Sequence, residues 1–152
     1  MENINDSLKF YQANIADIPK ILPLFNAYRQ FYRHDIDPAS EKFLRDRLNN
    51  KESLIFYAED ANGVQGFIQI YPSFSSRSLG PTWILNDLYV KPDARRKKIA
   101  WKLFDESIHL ARETKIHSVS LSTLIPNISA QEFYKKYGFK KDNDFFHFYF
   151  KL

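Results

Sequence analysis

The sequence predicts a mixed α/β (α+β) fold, one sheet with packed helices, in a single domain spanning residues 1–152. Three observations carry this. Thr82 to Val90 alternates like a strand, Arg95 to about Thr114 repeats its apolar residues at helical spacing, and no repeat, low-complexity tract or linker divides the chain. A chain of 152 residues can bury a real core, and 44% hydrophobic with 26% charged residues suits a soluble globular protein.

The elements follow in order. Leu8 to Ala13 reads as a short first strand. Pro19 suits the first position of a helix, where a missing N–H costs little. Ile18, Ile21, Leu22, Phe25, Tyr28 and Tyr32 recur at helical spacing, and Pro23 is placed to kink that helix. His34 to Ser40 is expected to be a loop and Glu41 to Asn49 a second helix. Leu54–Glu59 and Val64–Tyr71, separated by Asp60-Ala61-Asn62-Gly63, read as a hairpin, and Pro72 to Pro81 as a loop.

In the strand Thr82–Val90, alternation places Trp83, Leu85, Asp87 and Tyr89 on one face and Ile84, Asn86, Leu88 and Val90 on the other, unless a bulge intervenes. The long helix that follows turns Ile99, Ala100, Leu103, Phe104, Leu110 and Ala111 to one side. Val119, Leu121 and Thr123 alternate with serines as a half-buried strand. Asn127 to Tyr137 reads as a helix stopped by Gly138, and the Phe-rich tail from Phe139 is expected to form one or two last strands.

Composition removes several function classes. With no cysteine there is no disulfide, thiolate metal site or cysteine nucleophile, so a two-substrate transfer is most simply direct. Four glycines, at 63, 66, 80 and 138, supply neither a dinucleotide fingerprint nor a Walker-type phosphate loop. No His/Asp/Glu spacing suggests a metal site. Met1 to Ser7 is acidic and polar with no signal-like stretch, and no apolar run is long enough for a bilayer, so a cytoplasmic protein without membrane contact is expected.

The net charge of +4 is concentrated at Arg95-Arg96-Lys97-Lys98. These cations fall at a helix start, where unpaired N–H groups and a partial positive charge favour phosphate. The same run also fits a solvated charge cluster. A second unit, Asn127 to Phe139, carries Ala130 and Tyr134 one turn apart on one helix face. Its aromatics equally fit a core.

In this order and separation the two segments resemble the GNAT superfamily of acetyl-CoA-dependent N-acetyltransferases, most strongly from Trp83 to Phe139. The coenzyme signature, Arg/Gln-x-x-Gly-x-Gly/Ala, reads Arg95-Arg96-Lys97-Lys98-Ile99-Ala100 here. The second, Asn-x-x-Ala-x-x-x-Tyr followed by Gly-Phe, is matched by Asn127, Ala130, Tyr134, Gly138 and Phe139. Lys98 departs from the pattern, standing where the family has glycine. If a positive φ is needed there, lysine adds roughly 1–2 kcal/mol of strain.

The resemblance implies a mostly antiparallel central sheet with helices on both faces and a splay between the fourth and fifth strands. It implies acetyl-CoA as co-substrate and no metal. Backbone groups along Leu88, Tyr89 and Val90 would pair with the pantetheine arm. Amides from Arg95 to Ala100 would hold the pyrophosphate, and Asn127 and Ala130 would contact the coenzyme. Tyr134 would face the thioester sulfur as general acid. Relatives often form dimers, so a homodimer is expected.

The strand Asn86–Val90 is also similar to that of diamine and polyamine acetyltransferases, with Asp87 matching one of their two acidic residues and Asn86 replacing the other. The acceptor would be a primary amine on a small molecule, polyamine, amino acid or peptide. Such an amine has a pKa near ~10.4 and must lose a proton to react. Asp87 is the candidate to attract the cation or accept that proton. Asp35, Asp37, Glu41 and His34 are further candidates beside the cleft, and Tyr28, Tyr32, Trp83, Tyr71 and Phe74 could line it. Two other readings stand beside this one. The first is a nucleic-acid-binding module using Arg95–Lys98, which leaves the Asn127–Tyr134–Gly138 spacing unexplained. The second is an acyl-CoA-binding relative without catalysis.

Overall fold

The computed structural model describes residues 7–152. Two compact units divide at Leu121. The first holds β1 (Lys9–Gln12), α1 (Ile18–Phe31), α2 (Ala39–Asn49), β2 (Leu54–Asp60), β3 (Gly63–Ser75), β4 (Gly80–Val90), α3 (Ile99–Glu113) and β5 (Ser118–Leu121). The second holds α4 (Ile128–Tyr137) and the chain that follows it.

In the first unit the five strands form one sheet in the order β1-β2-β3-β4-β5, antiparallel except for the parallel pair β4–β5. Helices cover both faces. Phe67 packs in a cluster with Ile18, Ile21, Leu24 and Phe25 of α1 and Leu44 of α2. Its neighbour Gly66 points the other way, where an added Cβ would lie 3.1 Å from Cγ2 of Ile99 on α3. That switch of face between adjacent residues is the strand period of two at work.

α1 buries Ile18, Ile21, Leu24 and Phe25, spaced to fall on one stripe, and runs unbroken through Pro23 to Phe31. Pro23 sits in the second turn, early enough that only one helical hydrogen bond is at stake. α3 buries Ile99, Leu103, Phe104, Ser107 and Ala111; Leu110 and Ala100 are half-buried. Ser107 sits among these apolar residues because its hydroxyl donates to Leu103 O at 2.8 Å.

The Gly66 approach is also tight against the chain itself, since the same Cβ would lie 3.1 Å from Tyr89 O. A strand carbonyl cannot rotate away as a side chain can. Gly66→Ala is therefore expected to destabilise the fold by about 1–3 kcal/mol, read as a lower denaturant midpoint at unchanged slope.

Three sequence expectations are corrected. Pro72 to Pro81 is not a loop: β3 runs to Ser75 and β4 starts at Gly80, leaving residues 76–79 as the turn. Pro72 is tolerated because it pairs with Trp83 in the outer reach of this long hairpin. The helix expected from Arg95 begins at Ile99, because Lys98 adopts a left-handed backbone that no α-helix can continue through. Among the described residues, the Phe-rich tail contains no strand. There Asp142 Oδ1 instead accepts the amides of Asp144 (2.9 Å) and Phe145 (3.3 Å), a local turn competing with extended pairing.

Candidate active site in the first unit

The centre of the site is an irregularity in β4. Gln69 pairs with Asp87, but the next β3 residue, Ile70, pairs with Leu85, so Asn86 is an extra residue. This bulge overturns the simple alternation. Trp83 and Leu85 share the face of Ile70, whereas Asp87 and Tyr89 share the opposite face with Gln69 and Phe67. Trp83 is thereby buried on the face of the sheet opposite Asp87.

The bulge coincides with a second event. The parallel ladder with β5 ends at Leu85↔Leu121, so from Asn86 to Val90 no described strand of this unit continues it on that side. A bulge bends its strand and sharpens its twist, which is the physical reason that β4 leaves β5 here. The Asn86 carbonyl accepts the Tyr28 hydroxyl at 3.2 Å.

Asp87 is 1% exposed. Its Oδ2 accepts from Gln69 Nε2 and its Oδ1 from Asn86 Nδ2 at 2.7 Å. Burial pushes its carboxyl above the ordinary carboxylate range. The bonds from Gln69 and Asn86, with the Tyr28 hydroxyl nearby, oppose that push without cancelling it. Around it lies a cavity of about 340 Å³ with Phe25, Tyr28, Phe43 and Tyr71 as aromatic walls and Arg29, Asp37 and Ser40 toward α2. Burial, and then the charge of Asp87, hold the Tyr28 and Tyr71 hydroxyls protonated far above neutral pH. The wall therefore presents neutral rings around one buried acid, an arrangement suited to a cation.

Beyond Val90 the chain makes a short turn at Pro92–Ala94 and enters the basic loop. Arg95 folds back, with Nε donating to Val90 O at 3.1 Å and its guanidinium 6.0 Å from the Tyr89 ring centroid. Arg96 and Lys98 both have positive φ, 63° and 59°. Lys98 offers α3 no side-chain cap, and Lys102 N makes the first helical bond to Lys98 O at 3.1 Å. The amides of Ile99 and Ala100 therefore start a helix with no intrahelical acceptor, beside exposed Arg96, Lys97 and Lys98.

In the second unit, Asn127 Oδ1 accepts from Ala130 N at 3.2 Å, capping α4. Gly138, at φ 123°, ends it, and Phe139 N donates to Tyr134 O at 2.9 Å. Tyr134 is half-buried, its ring 5.7 Å from Phe133 and 6.1 Å from Phe139.

Residues 20–139 match the model of the acetyltransferase (GNAT) family. An uncharacterized N-acetyltransferase of Bacillus subtilis is 40% identical over 138 residues, covering 90% of this chain and 93% of the relative. The chain is a member of the GNAT acetyltransferase family. A probable acetyltransferase of Haemophilus influenzae is 32% identical, over 72% of this chain and 78% of its own. Among solved structures, that of a probable acetyltransferase superposes with a TM-score of 0.88 at 39% identity, covering 95% of this chain and 97% of that one. An aminoglycoside acetyltransferase from an uncultured soil metagenomic sample shares the fold, with a TM-score of 0.83 at 23% identity over 99% of both chains. The protein is accordingly an acetyltransferase, with the mixed, mostly antiparallel sheet and the parting of β4 from β5 that the resemblance implied.

In this GNAT protein the residues expected at the acceptor side separate into two groups. Tyr28, Tyr71, Asp37 and Asp87 meet in the cavity. Phe74 is 83% exposed near the tip of the β3–β4 hairpin, the Asp35 carbonyl accepts Arg29 Nη1 at 2.8 Å, and Glu41 pairs with Arg45 at 2.7 Å. His34 is exposed. Tyr32 packs edge-on to Tyr28 at 5.1 Å between centroids. Sequence reasoning missed Gln69, Phe25, Phe43 and Arg29. A glutamine inside the apolar run Phe67-Ile68-Gln69-Ile70 was the available signal, because a buried amide needs dedicated partners.

Lys98 is the residue at the family's glycine position, and it does adopt the left-handed backbone. Lys98→Gly removes that strain but returns conformational freedom to the unfolded chain. Stability is expected to stay within about 1 kcal/mol of wild type in thermal melts. The same change deletes one exposed cation, so affinity for acetyl-CoA measured calorimetrically is expected to fall about two- to fivefold at low salt.

Proposed function

We propose that this GNAT protein passes an acetyl group directly from acetyl-CoA to a primary amine. The observation that supports this most strongly is what converges on β4: an edge that loses its partner at Leu85, a buried carboxylate at Asp87, and an uncapped, cation-flanked helix start just beyond Val90.

The donor set of the basic loop fits the coenzyme's phosphates. Amides from Arg95 to Ala100 and the exposed side chains of Arg96, Lys97 and Lys98 would hold the pyrophosphate, with Arg95 bracing the loop against Val90. The unpaired stretch Leu88-Tyr89-Val90 would accept the pantetheine arm as an added strand. Asn127 and Ala130 would contact the coenzyme as the family motif implies, although Asn127 Oδ1 already caps α4. Acetyl-CoA supplies the activated thioester.

On the acceptor side, the Asp87 carboxylate would draw an ammonium group into the aromatic cavity and take up its proton, directly or through water. Its raised pKa makes it a better proton acceptor than an exposed aspartate. Tyr134 would protonate the departing thiolate. Because the family model spans residues on both sides of Leu121, the two units are read as one acetyltransferase domain.

A thiol-release assay with acetyl-CoA across polyamines, amino acids, peptide N-termini and amine-bearing antibiotics tests the reading. Amine-dependent thiol production is the expected result. Uptake of acetyl-CoA with no release above the amine-free rate for any of them would make the protein a coenzyme binder instead.

A further inference from the structure

Behind Asp87, beyond the residues that line the cavity, two further polar side chains are buried. Ser53, at the entry to β2, is 6% exposed, and Gln69, in the middle of β3, is fully buried. Ser53 Oγ donates to Gln69 Oε1 at 2.7 Å, and Gln69 Nε2 donates in turn to Asp87 Oδ2. The chain Ser53–Gln69–Asp87 thus runs from the residue before β2 to β3 and on to β4, among buried Ile55, Phe67 and Ile70. Three polar side chains in such a place cost free energy unless they satisfy one another, and here they do.

The direction of the chain matters. A glutamine amide can present either end to a neighbour, and an ionised carboxylate needs the N–H end. The Ser53 hydroxyl, by occupying Oε1, turns that N–H end toward Asp87. Asn86 holds the other carboxylate oxygen, so both are fixed and the charge is aimed by its surroundings.

We propose that Gln69, oriented by Ser53, is a positioning residue for acetyl transfer: it holds the Asp87 carboxylate ionised and aimed into the cavity where the acceptor ammonium is received. The inference rests on the reading of Asp87 as the amine's partner. Gln69 faces no solvent and touches no substrate in this scheme; it acts through Asp87. The other titratable and charged groups around Asp87 are Tyr28 and Arg29 of α1, Tyr32 just after it, Asp37 before α2 and Tyr71 of β3.

The test uses the full chain with carboxyl-labelled aspartate, following the Asp87 carbon resonance against pH and against added propylammonium. Gln69→Leu removes the donor at similar volume, so the Asp87 midpoint is expected to move to higher pH and propylammonium affinity to fall roughly fivefold, about the net worth of one hydrogen bond. Ser53→Ala is expected to move both in the same direction by less, and Ser53→Thr, which keeps the hydroxyl, to restore them. Should Gln69→Leu not fold, the Ser53 pair decides alone.

An Asp87 midpoint unchanged in Gln69→Leu, or identical in Ser53→Ala and Ser53→Thr, overturns the inference. A wild-type Asp87 resonance that ignores propylammonium at every pH has a different meaning. It removes the amine-binding role of Asp87 and with it the purpose of the clamp, even if the midpoints shift.

Discussion

Tyr134→Phe is expected to lower kcat by about 10²–10⁴ while leaving the apparent affinity for acetyl-CoA close to wild type. The thiolate of coenzyme A must leave with a proton or as a poorly stabilised anion, and in the proposed mechanism the Tyr134 phenol would supply that proton. Phenylalanine keeps the ring that packs against Phe133 and Phe139, so the helix α4 and its cap at Gly138 should survive the change. Steady-state rates with both substrates saturating check it. A turnover within a factor of two of wild type removes Tyr134 from that role.

The second large effect is expected at Asp87. Asp87→Asn keeps the shape but deletes the charge that would meet an ammonium group. Acceptor KM should rise about 10- to 100-fold, the cost of losing one hydrogen bond to a charged group, with acetyl-CoA affinity unchanged. In wild type, acceptor affinity should improve as pH rises through the elevated Asp87 pKa, and that limb should vanish in the variant.

Stability should move the other way. Unfolded, the carboxyl ionises near 3.8; folded, burial delays ionisation to higher pH. Its contribution to folding is therefore full below 3.8 and is lost as pH rises through the folded value. An asparagine side chain does not titrate, so thermal melts of Asp87→Asn should gain on wild type as pH increases from about 4 toward neutrality. A constant difference between the two proteins across that range would mean that burial does not raise the Asp87 carboxyl above its unfolded value.

The order of elements was legible because each long segment had a clear period. The apolar stripe of α3 and the alternation of β4 are patterns that packing rewards directly. The Asn127–Gly138 segment was legible for a related reason: Asn127 caps α4 and Gly138 ends it, so motif and local structure coincide. What stayed hidden was the bulge at Asn86. With apolar residues on both faces on either side of it, Ile84 and Leu85 before and Leu88 and Tyr89 after, a one-residue slip leaves no mark, and it decided which face Asp87 takes.

Gln69 was hidden for the converse reason. It sits in an apolar run and its meaning appears only when Ser53 and Asp87, sixteen and eighteen residues away, are brought against it. The left-handed backbone at Lys98 is a property of the folded loop that a lysine does not announce in the sequence. Two positive-φ residues in the basic turn, Arg96 and Lys98, shape the backbone, and the second of them stands where the family pattern has glycine.

In the proposed function, acetyl-CoA would be seated on the β4 edge beyond Leu85 and the start of α3. Calorimetric titration of acetyl-CoA into the full chain tests that seat most directly, with Arg96→Glu and Lys98→Glu in parallel. Saturable binding to one site, weaker with added salt and weaker still in the charge-reversed proteins, is the predicted result. Absence of saturable heat in the wild type at low salt, or binding indifferent to both reversals, contradicts it.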